Sequence, residues 1–496
     1  MALYNYSASL PREAYVNDPE GLEQALNDRK AHGKDHYTLA RGLQLVAEKG
    51  YLECVLVFLR AGALPDAHDR SGQTPLILAS MQGYADIVEI LIRKGCNVNK
   101  MCHRTRATAL HWASANGHLE CAELLLDAGA NREAKTTNGR TPLMMASRND
   151  HDLILEMLIK NNCDVNVLDV ESNSALHLAA IDGAYDTTNL LIKHGCKVDQ
   201  PNHYGDTPFL LAARGGHIQV VKRLLRAGCD INRRGRYTLN ALHWACDKGA
   251  TEVASLLLSN MISPNCETKD EIYSGDIAME RGMTPTMLAC QKGHHKILKL
   301  LIEVNANIHT CQNGHFSALH FACKHGHTEC VRILLNKGVI PEPLGARYDS
   351  NPGIIIYEPT PLFIAVKYNH PEVLGLILQT GVNPDIYCYH DRTGKAMSAL
   401  YLASSQGRVN AILKLVKAGA DITVLLKDSS ISSSLLQDAE FTSWLEEWRH
   451  SPMSLKFQSR VQIRRTLGYF PNNKIEMFPL PDSMKKYLQL AELTED

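Results

Sequence analysis

Residues 74–84 read TPLILASMQGY. Threonine followed by proline is how a short helix begins: the hydroxyl caps free N–H groups and the ring presets the first helical φ. The glycine near the end of the phrase lets the chain leave that helix through the left-handed region. The phrase returns as ATALHWASANGH around Thr108, TPLMMASRNDH at Thr141, SALHLAAIDGA at Ser174, TPFLLAARGGH at Thr207 and NALHWACDKGA at Asn240, with starts 34, 33, 33, 33 and 33 residues apart. Further copies begin at Thr284, Ser317, Thr360 and Ser398, and a weaker one, RGLQLVAEKGY, begins at Arg41, which makes eleven.

Behind each phrase comes a second run that is apolar at helical spacing, as in Ile87, Ile90, Leu91 and Ile92, or Val220, Val221, Leu224 and Leu225. A helix pair with two apolar faces can bury them only on neighbouring copies, so the chain predicts a helical solenoid. Three longer spacings, Asn240 to Thr284, Ser317 to Thr360 and Thr360 to Ser398, hold insertions of about 11, 10 and 5 residues. These fall between copies, within ETKDEIYSGDIAMERG, LGARYDSNPGIIIYEP and YCYHDRTGKAM. Insertions there add surface and leave the core untouched. Upstream, Asp18 and Pro19 predict the start of a helix over roughly 20–28 that caps the array.

The repeated phrase resembles the ankyrin repeat, G-x-T-P-L-H-x-A-A followed by G-H, a second helix and a G-A/C-x-V/I-N turn. The resemblance covers residues 41 to about 425. It implies an all-α solenoid whose copies are joined by β-turn fingers bordering a concave face.

With 496 residues, 45% of them hydrophobic, the chain is too long for one compact core. Lys+Arg 52 against Asp+Glu 53 leaves a net charge of -1, which gives no bulk attraction to nucleic acid or to an anionic membrane. The opening MALYNYSASLPREAYVNDPE has no signal-peptide core, and no stretch approaches the apolar length of a membrane span. An intracellular protein is expected, in the cytoplasm or the nucleus. The 14 cysteines recur at repeat-equivalent places such as KGCNV, HGCKV and AGCDI, which fits reduced, buried packing residues.

Candidate chemistry dissolves into the repeat. FACKHGHTEC offers Cys323, His325, His327 and Cys330 at a spacing that suggests zinc, yet each occupies a place the phrase already assigns. His111, His177, His243 and His320 recur at the fourth position, which argues for a hydrogen bond to the adjacent turn rather than for catalysis. DRTGKAMS lacks the leading glycine and the following Ser/Thr of a phosphate loop, and no nucleophile elbow, HExxH or dinucleotide fingerprint occurs. No catalytic residue, metal or cofactor is expected.

Binding surface remains. The fingers carry Asn202, His203 and Tyr204, then Arg233, Arg234, Arg236 and Tyr237, and the first helices end in residues such as Lys324 and His325. Arginine and tyrosine are common anchors of protein interfaces, so these are candidate contacts to a target protein. Ile354, Ile355, Ile356 and Tyr357 form an apolar run in an inserted loop, either tucked onto the solenoid or offered to a partner.

After residue 425 the repeat stops. Residues 426–450 hold SSISSS and EFTSWLEEWRH, a linker expected to shield the last copy. SLKFQSRVQIRRTLG, residues 454–468, places Leu455, Ser459, Ile463 and Leu467 on one helical stripe and Phe457 with Val461 on the opposite side. Two apolar faces suit a membrane-surface or calmodulin-type helix poorly. Residues 451–490 resemble the SOCS box, S-L-x-x-L-C-R-x-x-I-R-x-x-L-G followed by I-x-x-L-P-L-P-x-x-L-K-x-Y-L. The matches are Ser454, Leu455, Arg460, Ile463, Arg464, Leu467, Gly468, Ile475, Pro479, Leu480, Pro481, Lys485, Tyr487 and Leu488, with a tail at 491–496. The chain is thus similar to the ankyrin repeat and SOCS box family.

That resemblance implies a substrate adaptor of a cullin-RING ubiquitin ligase, with no bond chemistry of its own. The box helix would dock elongin B/C through Leu455, Ser459, Ile463 and Leu467, with Leu455 as the anchor. The run Phe478, Pro479, Leu480 and Pro481 matches the segment that selects the cullin, the five type in this family. Ser459 and Gln458 replace the pattern's cysteine and leucine, and Phe478 and Met484 replace leucines. Burying the serine hydroxyl without a partner would cost about 1–3 kcal/mol. The other reading is a non-catalytic ankyrin scaffold whose degenerate box only caps or sequesters.

Overall fold

Each phrase folds as its capping residues dictate. In the helix Pro75–Gln82, Thr74 sits at the N-cap with extended backbone, its hydroxyl accepts the Ile77 N–H, and Gly83 closes the helix at φ 87°. Thr141, Thr207, Thr284 and Thr360 repeat the N-terminal cap, each with proline in the first turn, and Gly216 and Gly293 repeat the glycine close after Thr207 and Thr284. In three of the copies without proline the N-cap is Thr108, Ser174 or Ser317, and the histidine three residues on completes a capping box. This computed structural model describes residues 13–30, 36–269, 272–274, 277–279, 281–312, 316–341, 355–356, 359–389, 396–421 and 442–443.

The chain divides into two compact units, Met1–Ala241 and Leu242–Asp496. In the first unit, the short helix Glu13–Val16 and the helix Pro19–Lys30 precede six helix pairs. Asp18 accepts the Gly21 N–H, so the expected cap forms. The pairs run from His36–Lys49 with Leu52–Arg60 to Pro208–Gly215 with Ile218–Arg226. Their second helices bury the stripe the sequence marks: Ile87 and Leu91 in one copy, Val220, Val221 and Leu224 in another.

In the second unit, five pairs run from Ala241–Lys248 with Thr251–Ser259 to Ala399–Ser405 with Val409–Lys417. The fingers and insertions of this unit carry short strands. Ile272–Ser274 pairs antiparallel with Ile277–Met279, and Cys311–Gln312 pairs with Phe316–Ser317. Ile355–Ile356 lies parallel to Tyr387–Cys388, and Tyr387–Tyr389 pairs antiparallel with Ala396–Ser398, making a three-stranded sheet. All fourteen cysteines are free thiols, buried except for the half-buried Cys266 and Cys311.

The Gly-His pair has a packing role besides ending a helix. His118 lies where a side chain on Gly83 of the preceding copy would be, 2.5 Å from an ideal Cβ, and its Nε2–H donates to the Met81 carbonyl at 3.1 Å. His151 and His217 do the same to Ala115 and Ile181, and in the second unit His294, His327 and His370 do so to Asp247, Gln291 and Lys324. A rigid ring thus ties six of the copies to the one before.

Candidate partner-binding surface

The fingers are built by short polar residues that satisfy their own turns. Asp69 Oδ1 accepts the Ser71 and Gln73 N–H groups, Asp169 Oδ1 those of Glu171 and Asn173, and Asn202 Oδ1 those of Tyr204 and Asp206, all at 2.8–3.0 Å. Such Asx turns are why Asp and Asn stand there. The finger tips also bond to one another. His103 N–H donates to Ser71 O at 2.7 Å, Thr137 to Thr105 at 2.8 Å, Val170 to Asn138 at 3.0 Å and His203 to Glu171 at 2.8 Å.

This ladder changes at the finger 235–239. Gly235 stands where Asp69, Thr136, Asp169 and Asn202 begin four of the other fingers, so no side chain is available to hold the turn. Asp206 supplies it from the preceding finger, its Oδ1 accepting the Arg236 N–H at 2.8 Å. An ideal Cβ on residue 235 would lie 2.2 Å from that same oxygen, so only glycine admits the carboxylate. Asp206 is buried, which raises its carboxyl above the usual range against the opposing pull of the Arg236 N–H and of the Arg214 and Arg236 charges. Tyr237 and Thr238 take φ 61° and 58°.

The candidate contacts meet here. The Arg236 guanidinium carbon lies 4.5 Å from the centre of the Tyr204 ring and 4.7 Å from that of Tyr237, within cation–π range. Arg234 Nη1 donates to the Thr238 carbonyl at 3.2 Å, and Arg233 is exposed. His203 meets Tyr204 edge-on with ring centres 5.6 Å apart. Asp206 is the residue of this candidate surface that the sequence reading missed, and a glycine at 235 in place of an Asx residue is the signal that could have found it.

The other candidates separate. Ile355 belongs to the strand that pairs with Tyr387, and Tyr357 lies outside the described residues. In the second unit, Asp247 is fully buried at its carboxylate, with Lys248 Nζ at 3.2 Å and Lys292 Nζ at 3.4 Å. Burial, with the charges of Lys324, His327, Lys292 and His370, pushes the His325 imidazole down to about 4. Three of the fourth-position histidines make the bonds expected of them: His111 Nδ1 accepts the Thr108 N–H while its Nε2–H donates to Arg140 O, and His177 and His243 donate to Asp206 O and Cys266 O, while His320 Nδ1 accepts the Ser317 N–H. Cys323 and Cys330 are buried in consecutive helices, and His327 is the Gly-His ring bonded to Gln291. The box residues Leu455, Ser459, Ile463, Leu467, Phe478, Pro479, Leu480 and Pro481 lie outside the described residues.

The family model described as ankyrin repeats (3 copies) matches residues 43–136, 129–202, 176–270 and 263–343, and a single ankyrin repeat matches 360–388. The SOCS box model matches 451–489. Among curated relatives, a probable E3 ubiquitin-protein ligase XBOS32 from Oryza sativa subsp. japonica is 32% identical over 29% of this chain and 31% of its own length. Ankyrin repeat and SOCS box protein 1 from Mus musculus is 29% identical over 26% of this chain and 41% of its own. The chain therefore spans less than half the length of either relative. The crystal structure of the human ASB11 ankyrin repeat domain aligns at 25% identity and a TM-score of 0.42, covering 45% of this chain and 98% of that one.

Proposed function

The chain belongs to the ankyrin repeat and SOCS box family, and from that premise we propose that it is the substrate-recognition adaptor of an elongin B/C cullin-RING ubiquitin ligase. The observation that carries this reading is the order of parts: a SOCS box match at 451–489 behind a long run of ankyrin copies. The copies hold a target protein while the box joins the ligase. Leu455 anchors the box helix in elongin, with Ser459, Ile463 and Leu467 along the same stripe, and Phe478 to Pro481 meet a cullin of the five type. Proline fixes an extended contact at low entropic cost.

The chain supplies proximity rather than bond chemistry. Holding a target lysine beside the charged conjugating enzyme turns a bimolecular transfer into an effectively intramolecular one. The target contacts include Arg233, Arg234, Arg236 and Tyr237, with the inserted segment holding Ile355 and Tyr357 as a further surface.

Co-expression with elongin B and C tests the box. The intact chain is expected to purify as a stoichiometric complex and Leu455→Arg, which sets an unpaired charge in the elongin pocket, is expected to lose it. Ser459 and Gln458 favour a second reading, a scaffold that sequesters its target without ubiquitin transfer. Failure of the intact chain to bind elongin would establish that reading instead.

A further inference from the structure

The net positive charge of the first unit is largest in one copy. Residues 207–240 contain seven arginines and lysines against a single acid, Asp230, whereas residues 141–173 contain two basic residues against six acidic ones and 174–206 two against four. At that copy's end stands the finger in which Arg236 lies over Tyr204 and Tyr237, its backbone held by the buried Asp206. Stacking engages the faces of the guanidinium and leaves its in-plane N–H donors at the edge. Neither Arg236 nor Arg233 forms an ion pair among the described residues.

We propose that this finger, with Arg236 stacked on Tyr204 and Tyr237 and Arg233 beside it, is a clamp for a short acidic segment of the target protein; the proposal deepens the adaptor reading and rests on it. A guanidinium fixed in place presents paired donors that match a carboxylate, with little left to order on binding. The width of the field selects the occupant. Adjacent copies are about 8–10 Å apart, so an extended peptide at roughly 3.3 Å per residue crosses the basic copy in about three residues. A nucleic acid or an anionic membrane would also lie against the acidic copies on one side and be repelled.

The test uses the purified full-length chain and a fluorescein-labelled octapeptide carrying four consecutive glutamates, with its four-glutamine counterpart as control. The glutamate peptide is expected to bind at least roughly 10-fold more tightly than the control and to weaken with added salt. Arg236→Ala and Arg236→Lys are each expected to weaken binding by roughly 10-fold, the lysine because a point charge does not reproduce the stacked fork. Arg233→Glu alters an exposed side chain and carries the same expectation should the Arg236 variants lose helix content. No preference for the glutamate peptide, or unchanged affinity in every variant, would overturn the clamp. So would tighter binding of oligothymidylate or phosphatidylserine vesicles that also depends on Arg236. Elongin capture by the same preparations separates the two readings. Peptide binding lost with elongin capture kept refutes the clamp alone, and the reverse refutes the adaptor reading alone.

Discussion

At residue 235 a missing side chain decides the local structure. Gly235→Ala would bring a Cβ to 2.2 Å from Asp206 Oδ1 and 3.1 Å from the Asp206 Cα, a backbone atom that cannot swing away. The expected loss is about 1–3 kcal/mol in chemical denaturation, with Arg236 released from its rings. Ser172 shows the opposite case. It holds φ 62° where Gly72, Gly139 and Gly205 stand in other fingers at 76–80°, so Ser172→Gly should stabilise by about 0.5–1 kcal/mol. The buried histidines set a pH dependence. Burial lowers His111, His177 and His320 to about 4, while an unfolded chain takes up the same protons near 6.5. Because the unfolded state binds more protons in that window, stability should fall as pH drops from about 6.5 towards 4 and level off below it. Urea midpoints across that range measure the slope, and His177→Gln should flatten it by about one proton.

At the scale of the element, stability comes from the second helices and from the ties between copies. Leu224 is completely buried in Ile218–Arg226, whereas Ile90 of Ala85–Arg93 is only half-buried. Leu224→Ala should therefore cost about 2–5 kcal/mol and Ile90→Ala well under half of that. In a solenoid each copy leans on its neighbours. Hydrogen exchange should report the loss first in 174–226, the mutated copy and the one preceding it, rather than uniformly. The short strands follow a related logic. Residues 355–356 gain partners by lying against the 387–389 strand, so part of the apolar insertion has its backbone satisfied within the protein.

For the whole molecule, the proposed adaptor role assigns recognition and coupling to different stretches, and the two should fail separately. Leu455→Arg lies beyond the ankyrin copies and should leave the melting temperature of the array unchanged while removing elongin from the complex. A shift of melting temperature as large as that of Leu224→Ala would mean that 451–489 supports the array instead. Stability and coupling measured on one pair of variants distinguish an adaptor from a capped scaffold.

The sequence by itself determined the helix pairs and their caps. Those depend on residues three or four apart, on Thr-Pro at one end in five of the eleven copies and on glycine at the other end in nine. It also marked Tyr204, Arg236 and Tyr237 as surface and 451–490 as a SOCS box, because both rest on local residue type and order. The reason for histidine after the glycine was legible only in three dimensions, since its partner is a carbonyl 36 or more residues back in the chain. The same is true of Asp206, which looks like one more finger residue until Gly235 is seen to make room for it. The strand pairing of 355–356 with 387–388 spans a whole helix pair. Contacts across that separation depend on how copies stack, and only the tertiary structure brings those residues together.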